Sequence, residues 1–153
     1  MGKWHRAREA VIQYHFWRDL QHGETPERIE DFWEFCPATD RVREFAQPLI
    51  EGMVTHRDEL DERIRKYCEN YNLDRISVVD RNVLRLAIYE MLYRDDIPPV
   101  VSINEAIELA KTFGGPDSGR FVNGILDRVK GDLSRPLREA APSPERSEPD
   151  SAD

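Results

Sequence analysis

Apolar residues in the stretch from Val42 to Val54 recur at helical spacing. Val42, Phe45, Ala46, Leu49, Ile50, Met53 and Val54 fall at i, i+3, i+4 and i+7, forming one continuous stripe. Pro48 sits inside that stripe, so the helix either kinks there or begins close to it. A sparser version follows at Leu60, Ile64, Tyr67, Cys68 and Tyr71. The second half is clearer. Ser77 is placed to cap a helix carrying Val79, Val83, Leu84, Ala87, Ile88, Met91 and Leu92, with Asp80 in its first turn. Pro98 and Pro99 interrupt that pattern, and Ser102-Ile103-Asn104-Glu105 then has the form of a capping box. The box predicts a helix with Ile103, Ala106, Ile107, Ala110 and Phe113 inward, closed by Gly114 in left-handed geometry. Asp117 or Ser118 is expected to cap a last helix burying Phe121, Val122, Ile125, Leu126 and Val129. No segment alternates with period two over a strand's length. The expectation is an all-α helical bundle of about seven helices with short connections.

Composition changes the picture mainly at the ends. From Ser134 to Asp153 the chain is rich in Pro, Ser and acids, too poor in large apolar groups to offset its ordering entropy. The expected division is a helical domain over 1–133 and an acidic, disordered tail over 134–153. Net charge is −8, but Glu139, Glu145, Glu148, Asp150 and Asp153 against Arg146 account for −4 of it, leaving −4 elsewhere. At the other end Lys3, Arg6 and Arg8 stand with no acid among the first eight residues. Charges interrupt every apolar run long before a membrane span, and no secretory h-region opens the chain. Cys36 and Cys68 form no close pair, as expected for reduced thiols in a cytoplasmic protein.

Gly114 and Gly119, followed by Arg120, have the spacing of a phosphate-cradling loop. A helix rather than a strand precedes them, however, Arg120 replaces the Lys, and Phe121 replaces the magnesium-binding hydroxyl. They read as a tight helix–helix turn whose amides, beside Arg120, can attract a phosphate. His5, His15, His22 and His56 make no metal cluster with the cysteines. The carboxylates of "DELDER", residues 58 to 63, read as a solvated helix face.

"VLRLAIYEMLYRDDIPPVVSINEAIELAKTFGGPDSGRFVNGILDRV", residues 83–129, closely resembles the C-terminal half of the NusB family. The order and spacing of "INEAIELAK", "FG", "DS" and "FVNGILD" carry the resemblance, and "RAREAVIQ" at 6–13 looks like the family's arginine-rich first helix. The resemblance implies two three-helix halves packed together, with no enzymatic activity and no cofactor or metal. It implies a transcription antitermination factor that pairs with NusE, a ribosomal small-subunit protein. The pair binds boxA-type single-stranded RNA of ribosomal RNA operon transcripts and joins an RNA polymerase antitermination complex. Some family members form homodimers, so self-association is a further expected mode.

Carried over by residue, Lys3, Arg6 and Arg8 match the family's basic first turn and are expected to meet phosphates. Asp117, Ser118 and Arg120 match its RNA-facing turn, where capping is the competing reading for Asp117. Phe16 replaces a usual Tyr; it either stacks on a base, as its neighbour Trp17 also could, or belongs to the core. Asp80 and Arg85 match polar positions near the NusE contact, or are simply a solvated charged face. Asn104, Glu105 and Asn123 read as helix-packing polar groups. Trp4 and His5 interrupt the basic run, and three phosphate contacts would lose only about 20-fold in affinity from 50 to 200 mM salt. The alternative reading is therefore a NusB-fold protein-interaction or self-associating module without RNA binding.

Overall fold

The computed structural model describes residues 2–21, 29–68, 72–134 and 136–137, apart from the side chain of Lys3. Among them are seven α-helices and no strand. In chain order these are α1 (Lys3–Leu20), α2 (Ile29–Phe35), α3 (Asp40–Thr55), α4 (Arg57–Tyr67), α5 (Val78–Tyr93), α6 (Pro99–Gly114) and α7 (Pro116–Gly131), with a 3-10 turn, Leu73–Arg75, before α5. The all-α expectation is met.

α5 is the axis of the bundle: it packs against α1, α3, α4, α6 and α7. Its buried set spans most of its circumference, as required of a helix enclosed by neighbours. α5, α6 and α7 pack mutually as one group. α1 lies along α3, and α2 closes over α1 through Phe32, whose ring meets Tyr14 edge-on at 5.3 Å and stacks near Trp17 at 6.3 Å. Leu49, Ile50, Met53, Leu60, Ile64, Leu84, Ile88, Met91, Leu109 and Leu126 fill the centre.

The capping expectations split. Thr39 accepts from the Val42 amide and Ser77 from that of Asp80, so α3 and α5 begin at side-chain caps. α3 continues without a break past Pro48, and the carbonyl of exposed Glu44, which loses its amide partner there, faces the solvent side. The box at Ser102 does not start α6. Pro99 occupies the first helical position, where its fixed φ and missing N–H cost nothing, and Ser102 points inward one turn later. Gly114 remains helical, and it is Gly115 that takes positive φ, +99°. α7 therefore starts at Pro116, with Asp117 and Ser118 already inside its first turn and no side-chain cap.

After α7, Leu133 packs against the core and the Leu137 carbonyl accepts the Val100 amide at 2.9 Å. The chain thus stays on the body through the root of the segment expected to be a tail. Residues 138–153, His22 and Tyr71 lie outside the described residues.

Candidate nucleic-acid interface

α1 begins without help from its own sequence. Gly2 supplies no side-chain cap and no acid occupies the first turn, so the positive end of the helix dipole is uncompensated. What holds this turn is tertiary. His5 Nδ1 lies 2.7 Å from Glu105 Oε2, and Trp4 packs on Phe45 with centroids 4.4 Å apart.

Arg6 and Arg8 are separated by about 200° around the helix and meet different fates. Arg6 is exposed and makes no ion pair with any described residue. Arg8 is 3% exposed and grips Glu90 with two parallel hydrogen bonds, Nε to Oε2 at 2.8 Å and Nη2 to Oε1 at 2.9 Å. The Ser102 hydroxyl donates to the same Glu90 at 2.7 Å, and the Arg8 guanidinium lies over Phe45. Burial alone would lower the Arg8 pKa, but the charge and hydrogen bonds of Glu90 outweigh it and raise it. Arg8 is therefore no phosphate ligand: its fork is consumed tying α1 to α5. The expectation for Arg8 is corrected.

A second buried network fixes the other end of α1. Asp19 accepts from Arg57 at 2.6 Å, from Asn82 at 3.0 Å and from Arg85 at 3.0 Å. Arg85 also donates to Asp61 at 2.7 Å. Burial pushes the Asp19 carboxyl up, yet Arg57 and Arg85 together hold it below the usual carboxylate range. Arg85, 3% exposed, is thus a strut inside the protein rather than a partner contact, correcting that expectation too. Asp61 leaves the solvated face expected of "DELDER" for the same reason. His15 lies against this network with Nε2 unpartnered among the described residues; burial, reinforced by Arg18, lowers its pKa to about 3, so it is neutral.

With its inner face so pinned, α1 turns Arg6, Gln13, Phe16 and Leu20 outward. Phe16 is 38% exposed and so is not the core residue its alternative reading made it. Arg6 and Phe16 lie about 15 Å apart along one side of the helix. Phe35, 82% exposed, extends the aromatic surface toward α2, with its ring 6.1 Å from Trp17.

The α6–α7 turn lies at the opposite end of α5 from the first turn of α1. Val79, beside Asp80, packs close to Gly114, and a Cβ on Gly114 would stand 2.3 Å from the Ser118 hydroxyl. Asp117 and Arg120 are both exposed and pair with each other. Asp80 is buried, with Oδ1 unpartnered among the described residues. The structure therefore groups Asp80, Asp117, Ser118 and Arg120 near the Phe16 end of α1, with Arg6 and the start of Lys3 at the other end.

Glu90, which decides where Arg8 points, escaped the sequence reading, whereas Glu105, read as a helix-packing polar group, does tie α6 to His5 of α1. Glu90 did leave a signal: it is a charge three residues after Ala87, on the apolar stripe of α5. Asn104 and Asn123 are exposed. Among the described residues no three His, Cys, Asp or Glu side chains gather to hold a metal, and no helix is long and apolar enough to cross a membrane.

A model of the NusB family matches residues 5–130. The transcription antitermination protein NusB of Myxococcus xanthus (strain DK1622) is 44% identical over 140 residues, covering 89% of this chain and 100% of its own. That of Bacillus subtilis (strain 168) is 44% identical over 129 residues, covering 84% and 95%. Among solved structures, T. maritima NusB is similar with a TM-score of 0.77 at 39% identity, over 88% of this chain and 94% of that one. A chain from the crystal structure of antitermination factors NusB and NusE in complex with dsRNA is similar with a TM-score of 0.74 at 26% identity, over 83% and 95%.

Proposed function

This chain belongs to the NusB family, and from that premise we propose that it is a cytoplasmic transcription antitermination factor that binds boxA-type RNA together with NusE. It works by binding and not by catalysis, within an RNA polymerase antitermination complex. The observation that carries the RNA contact is the outward side of α1. Arg6, which pairs with no described residue, and Phe16, its ring exposed, share that side about 15 Å apart. A single strand laid along α1 meets a cation for its phosphates and a ring for a base. Lys3 adds a second cation at the first turn. Ser118 and Arg120 supply a further phosphate contact once Arg120 leaves Asp117. Asp80, in the first turn of α5 and with Oδ1 lacking a partner among the described residues, is the NusE-side contact.

With Arg8 spent internally the electrostatic grip is weak. Two phosphate contacts give a logarithmic salt slope of about −1.4, a loss of roughly 7-fold between 50 and 200 mM; Arg120 as a third raises it to about 20-fold. Affinity for RNA therefore depends on the surface NusE adds. The test is fluorescence anisotropy of a labelled boxA RNA, titrated with this protein alone and with equimolar NusE. Tight, salt-sensitive binding that requires NusE is the expected result. A folded protein that binds in neither case refutes it and favours the self-association reading, for which exposed Leu20 and Phe35 are the surface.

A further inference from the structure

The Cys36 thiol, just past the end of α2, donates to Gln13 Oε1 on α1 at 3.1 Å. Its position is fixed from behind. The Cys36 amide donates to the Phe32 carbonyl at 2.9 Å, Phe32 is buried against Tyr14 of α1, and Cys36 itself packs on the core. Burial raises the pKa of this thiol, so at neutral pH it keeps its proton and acts as the donor. A thiolate would accept instead and turn the amide around.

The consequence falls on the outward side of α1. Gln13 is exposed, seven residues and about 10.5 Å along the helix from Arg6, and three residues, about 4.5 Å, from Phe16. It stands about 20° around the axis from Arg6 and about 60° from Phe16, so it lies between the cation and the ring. Side chains three apart on a helix are neighbours, and the edge of a base stacked on Phe16 comes within reach of the Gln13 amide. With Oε1 turned to Cys36, the end left facing outward is Nε2, which has no partner among the described residues.

We propose that Gln13 reads one base of the bound RNA, held by Cys36 so that its Nε2 donates to a keto oxygen of the base stacked at Phe16. This rests on the RNA-binding reading above. A glutamine amide free to rotate serves amino and keto bases alike, offering its oxygen to the one and its N–H to the other. An amide held through Oε1 offers its N–H groups, which suit O4 of uracil and O6 of guanine and meet N4 of cytosine or N6 of adenine donor to donor. Arg6 grips phosphate and Phe16 stacks on any base, so neither tells one base from another. Gln13 supplies the selectivity that those two lack, and Cys36 is its positioning residue.

The experiment is anisotropy of labelled boxA RNA with NusE present. The parent RNA is compared with a set in which each uracil becomes cytosine and each guanine becomes adenine, one at a time. One hydrogen bond contributes about 2- to 10-fold, so at one position the amino base should bind that much more weakly. Gln13→Glu presents oxygens in place of N–H and should reverse the preference at that position, and Gln13→Ala should abolish it. Cys36→Ala frees the amide and should bring the ratio toward unity, whereas Cys36→Ser keeps a hydroxyl donor and should preserve it. Each ratio compares two RNAs on one protein, so a variant's loss of stability or of overall charge attraction cancels. Gln13 variants that weaken all RNAs equally, or none, overturn the base contact. A ratio unchanged in Cys36→Ala while Gln13→Glu reverses it overturns the role of Cys36. A parent protein that binds no RNA even with NusE refutes the RNA reading itself, a result distinct from uniform binding across the set, and the proposal falls with it.

Discussion

Arg8→Ala separates a structural arginine from a functional one two residues away. The change strands Glu90, which is 1% exposed, without its two-bond partner and leaves it the Ser102 hydroxyl as a donor. Removing one partner of a buried pair costs about 3–5 kcal/mol, because the other charge is left in a medium that cannot solvate it. Unfolding entropy near 2.1 cal/mol/K per residue, over about 125 described residues, gives roughly 0.26 kcal/mol/K. The expected fall in Tm is therefore about 11–19 °C. Arg6→Ala, at an exposed site with no ion pair among the described residues, should stay within about 0.5 kcal/mol, or 2 °C. The order reverses for RNA: losing one phosphate contact should weaken binding about 8-fold at 50 mM salt for Arg6→Ala. A further variant tests the cause. Arg8→Met with Glu90→Leu removes both charges and should recover most of the lost stability, since an apolar pair of similar volume avoids the desolvation penalty. Urea unfolding followed by circular dichroism at pH 7.5, beside RNA anisotropy, measures all of this. If Arg8→Ala lost under 1 kcal/mol while its RNA affinity fell, Arg8 would be a surface ligand and the reasoning about α1 would fail.

His15 should make stability depend on pH. Its folded pKa of about 3 lies below the unfolded value near 6.5, so the unfolded chain takes up a proton in between. Stability is complete above pH 6.5 and declines toward pH 3, by about 2 kcal/mol at pH 5; His15→Leu should flatten that part of the urea-midpoint profile, and an unchanged slope would contradict the burial. Gly115→Ala forces a side chain into φ +99°, ψ −178°, a region close to glycine-only, and should cost about 1–3 kcal/mol by thermal unfolding. A loss under 0.5 kcal/mol there would mean the turn relaxes freely. Phe16→Ala should leave Tm nearly unchanged, yet remove about 1–3 kcal/mol of RNA affinity with NusE present. Unchanged affinity would remove Phe16 from the interface.

The helices were legible because their signals are local. The stripes from Val42 to Val54 and from Val79 to Leu92 each contain their own period, and Ser77 announces its helix three residues ahead. The spacing within "INEAIELAK" and "FVNGILD" likewise carries the family without any fold in hand. Caps proved less secure where two local signals competed: Pro99 and Ser102 both mark a helix start, and only packing against Glu90 shows that Ser102 is interior.

The surface of α1 was not legible. Spacing alone puts Arg6 and Arg8 on different sides, but it cannot say which side is inward. That choice was made by Glu90, 82 residues away, as Glu105 chose for His5 at a separation of 100. Asp61 looked like one more solvated acid of "DELDER" until Arg85, 24 residues on, drew it under cover. A run of charges determines by itself that there is field to be used. Whether a given charge meets solvent, RNA or a buried partner depends on desolvation, and desolvation is fixed only when distant helices close over it.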